Sequence, residues 1–249
     1  MPRFFLPAVQ IHGSQALLTG AEFHHLRHVV RLNVGDSLTL GDEYGREHHG
    51  TIISLSPTSA EIVLTASSRS DSGVFSLTLA QGVLKGHKMD LVIEKATEIG
   101  VQRIMPFFSA FTVPQLPAER RGERVARWQR LAQSAAKQSG SPVPQITFPQ
   151  TFAELLATSP AGIDKILLYE KERTLTLKAF AQTHPAFSSL CVVVGPEGGF
   201  AGEEVEQART AGFHVVGLGT RTLRAETAGI VAVALCRFLW GEREIPPLL

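Results

Sequence analysis

Two short segments in the last third of the chain place glycines and charged residues directly after apolar runs. The first is residues 192–200 (VVVGPEGGF), in which a β-branched run stops at a turn that holds three glycines. The second is residues 218–228 (LGTRTLRAETA), where a short apolar stretch feeds a loop and then a helix. Glycines let backbone amides approach a ligand with no side chain between them. Two such strand-to-loop exits at one edge of a sheet would form a ligand site.

The glycine turn, residues 195–199, is further defined by motifs that the chain lacks. Neither the phosphate-cradling pattern GxxxxGK-S/T nor the dinucleotide fingerprint GxGxxG occurs. A nucleoside cofactor held chiefly by backbone groups fits a glycine-rich turn without lysine, and a Cβ at Gly198 is then expected to occupy ligand space. A tight strand-to-helix connection without a ligand explains the same residues, so both interpretations stay open.

Two charged side chains of the second segment are candidates for chemistry. Arg224, between Leu223 and Ala225, is expected at the mouth of the sheet, where it needs a charged or polar partner. Glu226 is either that partner, in a structural salt bridge, or a general base. Glu197 in the glycine turn is a second candidate base.

Four further motifs lie toward the N-terminus. They are residues 2–5 (PRFF), 25–31 (HLRHVVR), 85–90 (KGHKMD) and 94–101 (EKATEIGV). With the two C-terminal segments, they resemble the RsmE family, SPOUT-class methyltransferases that use S-adenosylmethionine to methylate N3 of a uridine in 16S ribosomal RNA. The resemblance runs from Arg3 to Ala228 and covers nearly the whole chain.

The resemblance implies an S-adenosylmethionine site and a set of catalytic residues. The predicted cofactor contacts are Leu168, Tyr169, Glu170, Gly195, Pro196, Glu197, Gly198, Leu218, Gly219, Leu223, Arg224, Ala225 and Thr227. Arg224 and Glu226 are the predicted catalytic residues, because attack by N3 requires loss of its proton and a guanidinium suits the charge that develops on O2 and O4. The alternatives are an enzyme of the same class acting on another RNA or a ribose hydroxyl, and a non-catalytic RNA-binding assembly factor.

The distribution of charge bears on RNA binding more than the net charge of +1 does. Residues 85–137 hold ten Lys or Arg against five Asp or Glu. On a helix, Arg120, Arg124 and Arg127 would form one stripe opposite Val125 and Trp128, and that stripe suits either phosphate or a solvated face with acidic partners. The predicted RNA contacts, guided by the resemblance, are Arg3, Arg27, Arg31, Lys85, Lys88, Arg124 and Arg127. The implied partner is 16S rRNA in the small ribosomal subunit.

A histidine cluster suggests a metal site that the sequence does not complete. His24 and His28 stand at i and i+4, with His25 beside them. A third ligand with suitable spacing is missing, so no metal is predicted.

The chain divides at a serine-rich run, residues 67–73. The predicted domains are residues 1–72 and 73–249. In the first, alternating apolar stretches predict a small β-barrel, and a helix is expected to begin at Thr19 with Glu22 completing a capping box. The resemblance implies a PUA-like RNA-binding domain here.

Apolar strands alternate with helical patterns in the second domain, which predicts α/β architecture with a parallel sheet covered on both faces. The predicted strands are residues 77–80, 104–107, 166–169, 191–194 and 215–218. A SPOUT methyltransferase domain with a trefoil knot is implied by the resemblance only, since knots are too rare to infer from spacing.

Composition indicates an ordinary soluble protein, with 44% hydrophobic and 19% charged residues. No membrane span or signal peptide is recognised, so a cytoplasmic location is expected. Cys191 and Cys236 lie in apolar runs and are expected to act as small hydrophobes. A homodimer is implied by the resemblance, and the last helix offers an apolar face that would serve the dimer or cover its own sheet. Its residues are Val231, Leu235, Phe238 and Leu239.

Two positions depart from the pattern of the resembling family. Lys137 and Ser141 stand where a glutamate and an arginine are expected, so no role is carried over to them.

Overall fold

A computed structural model of the chain describes residues 1–42, 46–69, 75–113, 117–158 and 162–241. Its contacts divide the chain into two compact units. The first comprises residues 1–72 and 136–143, and the second comprises residues 73–135 and 144–249. The segment 136–143 is therefore far in sequence from the unit that it joins. The predicted boundary at residues 72 and 73 lies outside the described residues.

The first unit is a six-stranded, mainly antiparallel sheet in the order β1-β4-β5-β6-β3-β2. Its strands are β1 (Arg3–Phe5), β2 (Ile11–His12), β3 (Gln15–Thr19), β4 (Ser37–Gly41), β5 (Arg46–Leu55) and β6 (Ser59–Arg69), with a 3-10 turn at Ala8–Gln10. Within the described chain, β1 and β2 each pair with a single neighbour. The sheet is therefore a half-barrel, which agrees with the small barrel domain that the sequence predicted.

One helical segment among the described residues covers this sheet, and it begins at the N-cap Thr19 as predicted but without the predicted capping box. It consists of α1 (Gly20–His24) and a π-helix (His25–Val30). Thr19 is the N-cap, but its side chain makes no capping hydrogen bond. The predicted capping box is wrong because the Glu22 carboxylate accepts a hydrogen bond from the Phe5 backbone N–H at 3.0 Å instead. Phe23 and Leu26 are buried in the core.

The second unit contains a seven-stranded sheet in the order β10-β8-β7-β12-β11-β13, with β9 paired to β8. The strands are β7 (Ser76–Gly82), β8 (Arg103–Phe108), β9 (Gln145–Ile146), β10 (Gln150–Thr151), β11 (Asp164–Leu168), β12 (Ser189–Val194) and β13 (His214–Val216). Every pairing is parallel. The predicted parallel α/β architecture is confirmed, while the trefoil knot stays a prediction about chain threading.

Six helices accompany this sheet. They are α2 (His87–Glu98), α3 (Ala118–Ser139), α4 (Phe152–Thr158), α5 (Leu177–Thr183), α6 (Gly202–Thr210) and α7 (Ala225–Trp240). None of the helices in the described ranges has the length and apolar character needed to cross a bilayer. Burial raises the pKa of both Cys191 and Cys236 to about 12, so these thiols behave as hydrophobes.

Helix α7 buries a face other than the apolar stripe that the sequence offered for either a dimer or its own sheet. Its buried residues include Ala232, Val233 and Cys236, whereas Phe238 is 84% exposed and Leu235 is 36% exposed. The apolar stripe that contains Phe238 and Leu235 is thus not needed to cover the sheet of its own chain.

Candidate active site

A cavity of about 350 Å³ lies at the carboxyl ends of β11, β12 and β13. This is the edge where parallel strands deliver their loops. The lining residues are Lys88, Leu168, Tyr169, Glu170, residues 194–200, Leu218, Gly219, residues 221–226 and Ala228. The cavity thus brings together every predicted cofactor contact except Thr227, which is exposed and does not line it.

The end of β7 holds the glycine turn in place. Gln81 is fully buried, and its side-chain amide N–H group lies 3.2 Å from the Gly195 carbonyl and 3.5 Å from the Val194 carbonyl. A Cβ on Gly82 would lie 2.5 Å from the Pro196 nitrogen, so the two backbones approach as closely as glycine allows. The contact of Gln81 with the glycine turn was not predicted from the sequence, although a glutamine at the end of an apolar strand could have indicated it.

Gly198 is required for a reason other than the one the sequence suggested. A Cβ on Gly198 would lie 2.6 Å from the Phe111 Cβ and 3.1 Å from the Phe111 carbonyl oxygen. The expectation that a side chain here would fill ligand space is therefore wrong in its physical cause. The glycine makes room for the loop that contains Phe111, which packs against the turn.

Lys88 joins the two candidate bases in the cavity. Its Nζ lies 3.3 Å from Glu197 Oε1 and 3.5 Å from Glu226 Oε2. The backbone N–H of Lys85 also donates to Glu197 Oε1, at 3.1 Å. Burial opposes ionisation of Glu197, but hydrogen bonds from the backbone N–H groups of Lys85 and Glu197 itself, together with Lys88, lower its pKa overall. Glu197 is therefore a weak proton acceptor.

Glu226 is the less constrained carboxylate of the pair. Its side chain is 12% exposed, and its Oε2 atom is buried without a hydrogen bond from any described residue. A buried carboxylate oxygen without a donor is costly, and such atoms in a ligand cavity are suited to receive a donor from the ligand. The geometry thus favours Glu226 over Glu197 as a general base.

The salt bridge between Arg224 and Glu226, one of the two alternatives that the sequence left open, does not form. Arg224 is the N-cap of α7 and Glu226 lies in the first helical turn, and residues two apart on a helix point away from each other. Glu226 pairs with Lys88 instead. Arg224 lines the cavity, is exposed, and forms no ion pair within the part of the chain that the structure describes.

Several residues predicted to contact RNA already have protein partners. Arg3 pairs with Glu47 at 2.6 Å, and Arg127 pairs with Asp90 at 2.6 Å. Arg27 donates to the Asn33 side chain at 3.2 Å. RNA binding through these three side chains would compete with these contacts.

The other predicted RNA contacts are more available. Lys85 is exposed, Arg124 is half-buried on α3, and Arg31 is exposed in a left-handed conformation with φ of 63°. Lys88, which the sequence assigned to RNA, lines the cavity. Among the described residues, no group of His, Cys, Asp and Glu side chains is arranged to hold a metal ion.

Lys137 has a structural role within the first compact unit. Its Nζ pairs with Glu22 Oε1 at 2.6 Å and lies 5.2 Å from the centre of the Phe5 ring. The departure from the family pattern at this position is thus accommodated by an ion pair and a cation–π contact.

Comparisons with known proteins agree with this geometry. A family described as an RNA methyltransferase domain matches residues 71–237, and one described as an RNA methyltransferase PUA domain matches residues 18–65. Ribosomal RNA small subunit methyltransferase E of Bacillus subtilis is 30% identical over 243 residues, covering 94% of this chain and 95% of that protein.

Solved structures give the same result. The ribosomal RNA small subunit methyltransferase E of Neisseria gonorrhoeae, crystallised with S-adenosyl methionine bound, matches with a TM-score of 0.82 and 33% identity over 98% of this chain and 100% of that one. A probable rRNA-methyltransferase from Porphyromonas gingivalis matches with a TM-score of 0.79 and 27% identity over 96% of this chain and 98% of that one. From its matched domains, its relatives and its fold, this chain belongs to the RsmE family of RNA methyltransferases.

Proposed function

We propose that this protein is an S-adenosylmethionine-dependent methyltransferase that methylates N3 of a uridine in 16S ribosomal RNA. The observation that carries the proposal is the cavity at the carboxyl ends of β11, β12 and β13, which the glycine turn and the loop before α7 line together. The assembled small ribosomal subunit is the proposed substrate, and such a substrate implies a cytoplasmic location.

The cavity residues fit S-adenosylmethionine chemically. The cofactor carries a sulfonium, an ammonium and a carboxylate, and the cavity offers Glu170, Glu197 and Glu226 with the cations Lys88 and Arg224. Glu226 Oε2 is buried and accepts no hydrogen bond from the described residues, although Lys88 Nζ lies 3.5 Å away, so this oxygen still has capacity to accept from a ligand. Backbone groups of residues 195–199 and 218–219 would hold the nucleoside, since glycine permits close approach. When bound, the cofactor supplies an electrophilic methyl group.

The protein residues then have distinct tasks at the uracil ring. N3 carries a proton and its lone pair is delocalised in the imide, so Glu226 removes that proton as a general base. Arg224 donates to O2 or O4, where negative charge develops. Glu197 stays ionised and holds Lys88, which in turn orients Glu226. Alignment of N3 with the methyl group supplies much of the remaining acceleration.

The N-terminal sheet is proposed to anchor RNA. Support comes from the match of residues 18–65 to a PUA domain of RNA methyltransferases and from the exposed Arg31 that ends the π-helix. Phosphate contacts of this kind position a substrate without reading its sequence.

A homodimer is also proposed, formed through the exposed stripe of α7. Phe238 and Leu235 are exposed, Val231 and Leu239 are partly buried, and none of the four is among the helix's buried residues. Phe238 is 84% exposed, and covering such a large apolar side chain with a partner chain removes its surface from water, which favours association.

The function is tested by mapping methylated nucleotides in ribosomal RNA by mass spectrometry. Cells lacking the protein should lose one methyluridine from 16S rRNA, and the purified protein with S-adenosylmethionine should restore it on small subunits from those cells. An unchanged 16S methylation pattern, or a methyl group found on ribose or on transfer RNA instead, would contradict the proposal.

A further inference from the structure

A short turn beside the cavity presents an aromatic side chain. Residues 109–112, here called the aromatic turn, follow β8. The Ser109 backbone N–H donates to Thr112 Oγ1 at 2.8 Å, and the Thr112 backbone N–H donates to the Ser109 carbonyl at 3.1 Å. The turn therefore holds Phe111 at its tip through its own hydrogen bonds.

The aromatic turn is fastened to the elements that form the cavity. Glu204 on α6 accepts from the Ala110 backbone N–H at 2.9 Å through Oε1, and from the Ala201 backbone N–H at 2.9 Å through Oε2. Phe111 also packs its Cβ and carbonyl against Gly198, which lines the cavity. A single buried carboxylate and a single glycine thus couple the position of Phe111 to the glycine turn.

Packing within the protein does not explain why an aromatic residue stands at position 111. Phe111 is 50% exposed, and Val113 just beyond it is 56% exposed. Two exposed apolar side chains, one on and one just after a hydrogen-bonded turn beside a ligand cavity, indicate a binding surface rather than a core. Arginine is present at the base of the turn, since Arg121 at the start of α3 lies 5.2 Å from the centre of the Phe108 ring at the end of β8, and the preceding Arg120 is exposed.

We propose that Phe111 stacks on a nucleobase of the RNA substrate, a proposal that rests on the proposed function. Aromatic side chains with neighbouring arginines are the usual surface for unpaired bases, since every base has a π face and its phosphates are anionic. Phe111 contacts the glycine turn but does not line the cavity. The stacked base is therefore a neighbour of the target uridine, and stacking holds the strand so that the target enters the cavity.

The test compares substitutions of Phe111 in the full-length protein, with small ribosomal subunits as substrate. Phe111→Ala should raise KM for the subunits by roughly 5- to 150-fold, the range for loss of one base–aromatic stack. Affinity for S-adenosylmethionine, measured by calorimetry, should stay within about twofold, because the hydrogen bonds of the turn and Glu204 remain. Phe111→Tyr should retain the wild-type KM, whereas Phe111→Leu should resemble Phe111→Ala. Phe148→Ala is the matched control, since Phe148 is a 65% exposed phenylalanine of the same unit.

Several results would overturn the stacking role. Wild-type kinetics in Phe111→Ala would do so directly, and equal rescue by leucine and tyrosine would show apolar packing instead. Collapse of cofactor affinity would make Phe111 a support of the glycine turn, and a change from dimer to monomer in light scattering would make it a protein contact. Failure of the proposed function is distinguishable, because the wild-type protein would then methylate no subunits.

Discussion

Replacing Arg224 by alanine separates chemistry from binding. Arg224 lines the cavity but forms no ion pair among the described residues, and Glu226 pairs with Lys88 instead. Its removal therefore leaves no carboxylate without a partner, and the free energy of unfolding should change by less than about 0.5 kcal/mol. A large loss of activity would then report on the reaction and not on the fold.

The expected size follows from the exposure of the side chain. Loss of one preorganised donor to a developing anion costs about 10²- to 10³-fold in turnover, or about 2.7–4 kcal/mol. The Arg224 side chain is exposed, so the conformational entropy that it loses on ordering against the substrate offsets part of its interaction energy. The loss should therefore lie at the lower end, about 10²-fold.

The assay is single-turnover methylation of small subunits with saturating cofactor, together with calorimetry of cofactor binding. Arg224→Lys should restore little, because an ammonium cannot present two planar donors. Lys178→Ala, which removes an exposed cation from α5, is the control and should keep the wild-type rate. If Arg224→Ala kept its single-turnover rate while cofactor affinity collapsed, Arg224 would be a cofactor clamp and the anion-stabilising role would be refuted.

Three further predictions concern other parts of the second unit. Gly198→Ala should raise KM for RNA more than it weakens cofactor binding, because the added Cβ would lie 2.6 Å from Phe111 in the aromatic turn. Gly202→Ala is the control and should be neutral, since a Cβ there meets nothing within 4 Å. A selective loss of cofactor affinity in Gly198→Ala would contradict this prediction. Lys88→Met removes the ammonium group that lies 3.5 Å from Glu226 Oε2 and orients this carboxylate, so single-turnover methylation should fall by roughly 10²-fold, the lower end of what a positioned general base contributes; an unchanged rate would exclude Glu226 as a base that Lys88 positions. Phe238→Glu should give a light-scattering mass near the 27.0 kDa of one chain, and a wild-type protein that already has this mass would refute the dimer.

The lowered pKa of Glu197 also makes the stability of the protein depend on pH. Its pKa is lower in the folded protein, so its ionised form contributes stability in full above the unfolded-state pKa of about 4.3. That contribution is lost as the pH falls through the folded-state pKa. Glu197→Gln should therefore reduce the dependence of stability on pH in this acid range, as measured by thermal unfolding, and an unaltered dependence would contradict the assignment.

The sequence alone determined the architecture of the second unit, because parallel strands that are buried on both faces consist of continuous apolar runs that are recognisable in the sequence. The run before the glycine turn is β12 itself, the stretches around Leu77 and Ile166 are the strands on either side of it, and the stretch around Ile104 is the strand beyond β7. Motif residues predicted from the sequence make up most of the cavity lining. The failure of an Arg224–Glu226 pair was also foreseeable, since helical spacing forbids it.

The fold of the first unit was harder to predict from the sequence. Strands β1 and β2 span three and two residues, which is too short for an alternating pattern to stand out. The closure of a sheet is a matter of which edges meet, and alternation does not encode it. The capping box failed for a related reason, because Phe5, a residue 17 positions away, offered Glu22 a better donor.

Only the tertiary structure decided how the cavity is held and electrically balanced. Lys88 reaches Glu197 across 109 positions of sequence, and Gln81 reaches Gly195 across 114. Phe111 meets Gly198 through a gap that exists because one residue lacks a Cβ. Residue types and spacing determine which side chains are present at a strand end, because periodicity is local. Which partners those side chains find depends on the packing of distant segments, and no local pattern records that packing.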